Sequence, residues 1–367
     1  VKSVASRPYD VLNSDEARKE VEGNDLSFLH VVKPEIDLPK DVDPYSDVVY
    51  EKGKENFHNF MSLGILAQDS DSSFYIYRLT MDGRSQTGLV GCCFFEEYFD
   101  EIIKKHELTR LVKENDRVKH VECLNANAEP VFFSYRGKSS IKDFVSSKTS
   151  DDPVYNFIAD DHIQHELWLV SDPEDVTFIE EAFKDVPYLY VADGHHRTAA
   201  AARIGKKRKE ENLKHTGEEE YNYFLTVLFP DDELKIFDYN RLVKDLNGFA
   251  ASEFLKQLED TFIISKLNAE NPRPSAIREF SLYIEGDWYR LLAKEGCWDV
   301  NDPVGDLDVT ILSGKVLSPL LNIVDLRKDN RIDFVGGIRG LDELKRRVDS
   351  GEMVAAFALY PVTMDQL

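Results

Sequence analysis

Short apolar runs alternate with helix-period segments along most of this chain, with glycine, asparagine, aspartate and proline between them. That alternation predicts a mixed α/β core, α+β in overall class. Asn13 and Glu16 have capping-box spacing and Gly23 follows, which predicts a helix over 14–22. The apolar run 28–32 reads as a strand. A loop with Pro34, Pro39 and Pro44 leads to a second helix, capped by Asp43 and ended by Gly64.

Residues 74–81 and 87–95 flank Asp82-Gly83-Arg84-Ser85, a hairpin signal. Tyr98, Phe99, Ile102 and Ile103 mark one face of a helix running into the charged stretch 106–110. Further strands are expected at 131–135, 166–170, 188–192, 223–229 and 235–239. Beyond 240 the pattern becomes helix, strand, a hairpin around Gly286-Asp287, helix, and a last strand at 354–360. Two domains follow: a mixed α/β core over 1–240 and an α+β portion over 241–367.

With 45 Lys and Arg against 68 Asp and Glu, the formal net charge is -23, a field that repels a polyphosphate backbone. DNA and RNA are therefore poor partners. The one dense basic run, Lys206-Lys207-Arg208-Lys209, is followed by Glu210, Glu211, Glu218, Glu219 and Glu220, and reads as a solvated helix end. Four cysteines without Cys-x-x-Cys spacing give no disulfide framework, and adjacent Cys92-Cys93 reads as buried small apolar strand positions. No bilayer-length apolar run and no basic-then-apolar leader occur in these residues. A cytoplasmic protein without membrane insertion is expected.

The segment most suited to chemistry is Asp193-Gly194-His195-His196-Arg197, between an apolar strand and an Ala-rich helix over 198–204. A strand-to-helix turn aims backbone N–H groups and the positive helix end at one point, which suits a phosphate or carboxylate. Gly194 allows close approach, and Arg197 and the histidines add donors. Asp193 could orient a histidine, hold a metal ion carried in by a nucleotide, or cap the helix. Glu107, among His106, Thr109, Arg110, Lys113, Glu114, Asp116 and Arg117, is either a base that activates a hydroxyl or part of a surface ion-pair network. Gly336-Gly337-Ile338-Arg339-Gly340 repeats the strand, glycine turn, helix layout and could grip a second phosphate through Gly337 and Arg339. Pro8-Tyr9-Asp10 and 27–30 read as a turn and a half-buried strand, and His162 and His165 as part of a polar loop.

The segments Pro8-Tyr9-Asp10-Val11, Ser27-Phe28-Leu29-His30-Val31, Lys105-His106-Glu107, Ala192 to Arg197 and Phe334 to Gly340 together resemble the family catalogued as domain of unknown function 1015. The Asp-Gly-His-His-Arg turn also resembles the nucleotide-phosphate loop of the ParB and sulfiredoxin-like superfamily, which includes free-serine kinases. The resemblance implies a ParB/sulfiredoxin-like nucleotide-binding core in which Asp193, Gly194, His195, His196 and Arg197 cradle nucleotide phosphates. It further implies Glu107 and His196 as catalytic groups, ADP or ATP with Mg²⁺ as cofactors, and serine or phosphoserine as substrate. Two alternatives share the turn: a ParB-like nucleotide-binding or DNA-associated module without turnover, and a metal-dependent phosphoserine phosphatase.

Overall fold

The computed structural model describes residues 1–107, 109–267, 272–326 and 328–367. The chain divides into two compact units, Val1–Leu234 and Lys235–Leu367, so the division falls ahead of the boundary expected at 240. Both are mixed α and β, and each is built on its own sheet.

The first unit opens with helices α1 (Ser14–Glu20), α2 (Leu29–Val32) and α3 (Asp47–Ser62). The capping box of α1 forms as the spacing predicts, Asn13 and Glu16 bonding reciprocally. The run at 28–32 is a helix and not the expected strand. Leu29, Val31 and Val32 are buried on several sides, and a short apolar run carries no period that separates a buried strand from a buried helix turn. Helix α3 starts later than Pro44, because Asp43 accepts the Tyr45 N–H and forms a turn instead of a cap.

The sheet follows: β1 (Phe74–Met81), β2 (Arg84–Phe94), the short α4 (Glu96–Phe99), β3 (Ile103–Lys104), α5 (Leu111–Leu124), β4 (Val131–Tyr135), α6 (Ser139–Lys148), β5 (Tyr155–Ile158), β6 (Gln164–Val170), α7 (Pro173–Lys184), β7 (Leu189–Asp193), α8 (His195–Glu211) and β8 (Tyr223–Pro230). Its strand order is β3-β7-β4-β8-β2-β1-β6-β5. The β1–β2 hairpin closes through Asp82 and Gly83, both at positive φ, the two-residue turn whose twist suits paired strands. The helix expected from Tyr98 and Phe99 into the charged stretch stops at Phe99, as the short α4. Ile103 instead pairs with Leu189 in parallel, leaving the charged residues after β3 as the connection to α5.

The second unit carries β9 (Tyr239–Val243), α9 (Ala251–Leu258), β10 (Phe262–Leu267), β11 (Glu279–Ile284), β12 (Asp287–Ala293), α10 (Asp308–Leu312), β13 (Ile332–Gly336), α11 (Gly340–Asp349) and β14 (Ala355–Leu359). The sheet order is β10-β12-β11-β14-β9-β13. The strand expected at 235–239 begins only at Tyr239. Its core contains Phe254, Phe262, Phe280 and Phe357, each at most 1% exposed. All four cysteines are unbridged, and of the adjacent pair in β2 only Cys93 is buried, since successive strand residues face opposite sides and Cys92 is exposed. Among the described residues no helix is long and apolar enough to cross a membrane.

Candidate functional site

Strand β7 lies inside the sheet between β3 and β4, and the chain turns from it directly into α8. Gly194 makes that turn at φ +87°, in the left-handed region. A side chain would be strained there, and a Cβ would also press on the Arg197 guanidinium 3.2 Å away. The helix starts at His195, ahead of the position its alanines predict, so both histidines and Arg197 occupy its first turn. The first intrahelical bond runs from Thr198 N–H to the Gly194 carbonyl at 2.9 Å. The amides of His195, His196 and Arg197 thus open the helix with no intrahelical acceptor, and no described side chain caps it. They stand at the positive end of a helix of seventeen residues.

Asp193 does not cap. Its Oδ2 accepts from Arg197 Nη2 at 2.8 Å, while Arg197 Nη1 donates to the Pro130 carbonyl at 2.6 Å. The Arg197 side chain is 11% exposed and Asp193 61%. Arg197 therefore straps the first turn of α8 to the end of β7 and the residue before β4, where a freely reaching phosphate donor was expected. Its Nε is buried without a hydrogen-bond partner among the described residues.

The parallel pairing of β3 with β7 puts the residues after β3 at the same strand end as the turn. His106 meets His195 edge to face, ring centroids 4.4 Å apart. Glu107 Oε2 lies 3.8 Å from His195 Nδ1. Burial lowers the His195 pKa to about 4, helped by His106 and His196, so the ring is neutral near pH 7. His106 and His196 are also lowered, in each case first by burial. His196 Nε2 accepts the Arg110 N–H at 3.1 Å, which leaves the ring proton on Nδ1 as a donor. Three histidines, a carboxylate and three open amides thus share one strand end.

Sequence reasoning missed what lies beneath. Tyr9 places its ring 3.8 Å from the Arg117 guanidinium carbon and donates its N–H to Glu129 Oε1 at 3.0 Å. Burial raises the Glu129 pKa against the opposing pull of Arg197, and Asp10 acts on both Glu129 and His196. The Pro8-Tyr9-Asp10 turn is therefore a neighbour of the 193–197 turn. Glu114, Arg117 and His120 are buried, not members of a surface network. Arg203 of α8 bonds Glu114 at 2.6 Å, joining α5 to α8. Polar residues three apart on α5 were the available signal.

Other expected groups go elsewhere. His30 pairs with Asp37 at 2.7 Å within the amino-terminal helices. His165 stacks on Phe157 and bonds the Tyr77 hydroxyl. Lys207 and Lys209 pair with Glu122 and Glu96, as a solvated helix end does. Gly337 and Arg339 belong to the second unit, where the Gly337 N–H already donates to the Asp238 carbonyl at 2.6 Å and Arg339 is exposed. No group of three or more His, Cys, Asp or Glu side chains is placed to hold a metal among the described residues.

The family model described as "Protein of unknown function (DUF1015)" matches residues 1–310. The chain belongs to this family. The DUF1015 match contains Tyr9, Glu107, Glu129 and the whole 193–197 turn, and it ends before the 336–340 turn. Neither a curated protein nor a solved structure matches the chain.

Proposed function

We propose that the protein is a nucleotide-dependent phosphotransferase acting on a small hydroxyl substrate, serine or its phosphate ester, with the 193–197 turn as a ParB/sulfiredoxin-like phosphate loop. One observation carries the reading: Glu107, the proton-bearing Nδ1 of His196 and the open amides of α8 stand at one strand end. The nucleotide phosphates lie on the amides of His195, His196 and Arg197, where the helix dipole favours negative charge. His196 Nδ1–H donates to a phosphate oxygen. Glu107 takes the proton of the attacking hydroxyl as the new O–P bond forms and the bridging P–O bond breaks, the charge leaving on the shortened nucleotide. Positioning and charge neutralisation do most of the work in such a transfer. Asp193 has one carboxylate oxygen not engaged by Arg197 and is largely exposed, which fits a Mg²⁺ ion that keeps most of its water shell. Bound there with the nucleotide, the ion would neutralise phosphate charge. The acidic balance favours a small-molecule partner over nucleic acid, in a cytoplasmic setting.

The test is transfer of labelled phosphate between ADP or ATP and serine, in either direction, with Mg²⁺. Glu107 is 59% exposed, so Glu107→Gln should fold normally and lose about 10²–10⁴ in rate. Absence of transfer in the intact chain, or full activity in Glu107→Gln, sinks the proposal. Phosphate release from phosphoserine without nucleotide would identify the phosphatase instead, and nucleotide binding without turnover the ParB-like module.

A further inference from the structure

A cavity lies in the first unit, at the ends of β4 and β8 remote from Asp193: the register pairs Asp193 with Phe132 but Tyr135 with Leu189 and Pro230. It has a volume of about 320 Å³ and is lined by Arg78, Thr87, Tyr135, Lys142, Ser146 and Glu233, among others. Its size lies at the lower end of small-molecule sites.

Three groups lining it have unused hydrogen-bonding capacity. Tyr135 is 2% exposed with its ring packed on Phe183, yet its hydroxyl bonds to no described residue. Tyr135 lines the cavity, and its hydroxyl is not among the buried polar atoms left without a partner. Arg78 donates through Nε to Thr87 Oγ1 at 3.2 Å and lies over the Trp168 ring, but its Nη1 is 3.7 Å from Glu166, beyond hydrogen-bond range. Its terminal nitrogens remain available. Glu233 accepts the Thr87 N–H through Oε2 only, leaving Oε1. Lys142 is already paired with Asp232. The cavity therefore offers one guanidinium and one carboxylate, each with an open position, beside a phenol, and Leu89, Ile141 and Val145 supply apolar wall.

We propose that this cavity binds a small zwitterion, a free α-amino acid, its carboxylate on Arg78 and its ammonium on Glu233. The Tyr135 hydroxyl donates to the carboxylate, and the ligand's side chain lies on the apolar wall. Opposite charges on one small cavity select a molecule carrying both signs, whereas a neutral polyol would engage the charge of neither Arg78 nor Glu233. The site is independent of the phosphotransfer reading, because it lies at the other end of the strands.

The experiment is thermal shift followed by calorimetric titration of the intact chain with each of the twenty free amino acids at millimolar concentration, without nucleotide. A subset should raise the unfolding midpoint saturably, and their amides and N-acetyl derivatives should not. Ser146 is exposed on α6, so Ser146→Trp should fill the cavity and abolish binding. Tyr135→Phe should weaken binding about tenfold by removing one hydrogen bond. Absence of binding by any amino acid, or wild-type affinity in Ser146→Trp, overturns the proposal. So does stabilisation by neutral polyols in place of amino acids. If Ser146→Trp fails to fold, unchanged affinity in Tyr135→Phe overturns it.

Discussion

The turns at 193–197 and 336–340 share a layout, strand then glycine then helix, and differ in what their backbone is doing. At the first, Gly194 swings through positive φ, Asp193 turns aside to Arg197, and three helix-opening amides are left without capping side chains. At the second, the Gly337 amide is bound to Asp238, and a Cβ at Gly337 would overlap the Asp238 carboxylate. Asp238 is itself 4% exposed and bonded to Asn240 and Arg273. Glycine is required at both places, once to leave donors open and once to let two backbones touch. A glycine-rich turn becomes an anion site only where its amides stay unengaged.

The sharpest way to break that contrast is to add one carbon at each turn. Gly337→Ala has no room beside the buried Asp238 and should cost the second unit about 3 kcal/mol or more in urea unfolding. Gly194→Ala should cost about 1–2 kcal/mol, the penalty of a left-handed non-glycine residue, while disturbing the proposed phosphate loop. If Gly337→Ala were silent and Gly194→Ala severe, the assignment of a packing role to one turn and an open-amide role to the other would be reversed.

Acid should separate the units next. All nine histidines lie in the first unit, and the second has none. His120 is 3% exposed, donates to the Val31 carbonyl at 3.0 Å, and is pushed down to about 4 by burial. Because its folded pKa lies below its unfolded value, the unfolded chain binds the extra proton first, and stability falls as pH drops from about 6.5 toward 4. That loss reaches about 3 kcal/mol near pH 4 for His120 alone. His195 acts in the same direction. Unfolding midpoints followed from pH 7 to 4 should decline in the first unit ahead of the second, and His120→Asn should flatten the decline. Parallel decline of both units would remove histidine as the cause.

Both turns were legible in the sequence, as was the hairpin at Asp82-Gly83, and the one expected around Gly286-Asp287 turns one residue earlier, through Glu285-Gly286, because turn chemistry is local. The start of α8 was not. Alanine propensity marks where a helix is strong, while its first turn is set by Gly194 and the Arg197 strap to Pro130. The run 28–32 was misread because burial on several sides erases the alternation that separates strand from helix. Tyr9 and Glu129 are 120 residues apart, and only the fold brings them together. Glu107 was visible as a carboxylate among cations, but its approach to His195 depends on the short β3–β7 pairing.

Arginine gives the finest comparison, since each turn carries one. Arg197 is nearly buried and holds two acceptors, one of them charged, so Arg197→Ala should destabilise the first unit by about 2 kcal/mol. Arg197→Lys, a point charge without the planar fork, can replace only one of the two bonds and should recover part of that. Arg339 is exposed, and the charge it shares with Glu343 is a surface interaction of little worth. Arg339→Ala should shift stability by less than about 0.5 kcal/mol and leave phosphate exchange unchanged. Denaturant titration beside the exchange assay measures both. A large loss of exchange in a stably folded Arg339→Ala would mean that the second turn does bind phosphate, and that its engaged Gly337 amide is not what distinguishes the two.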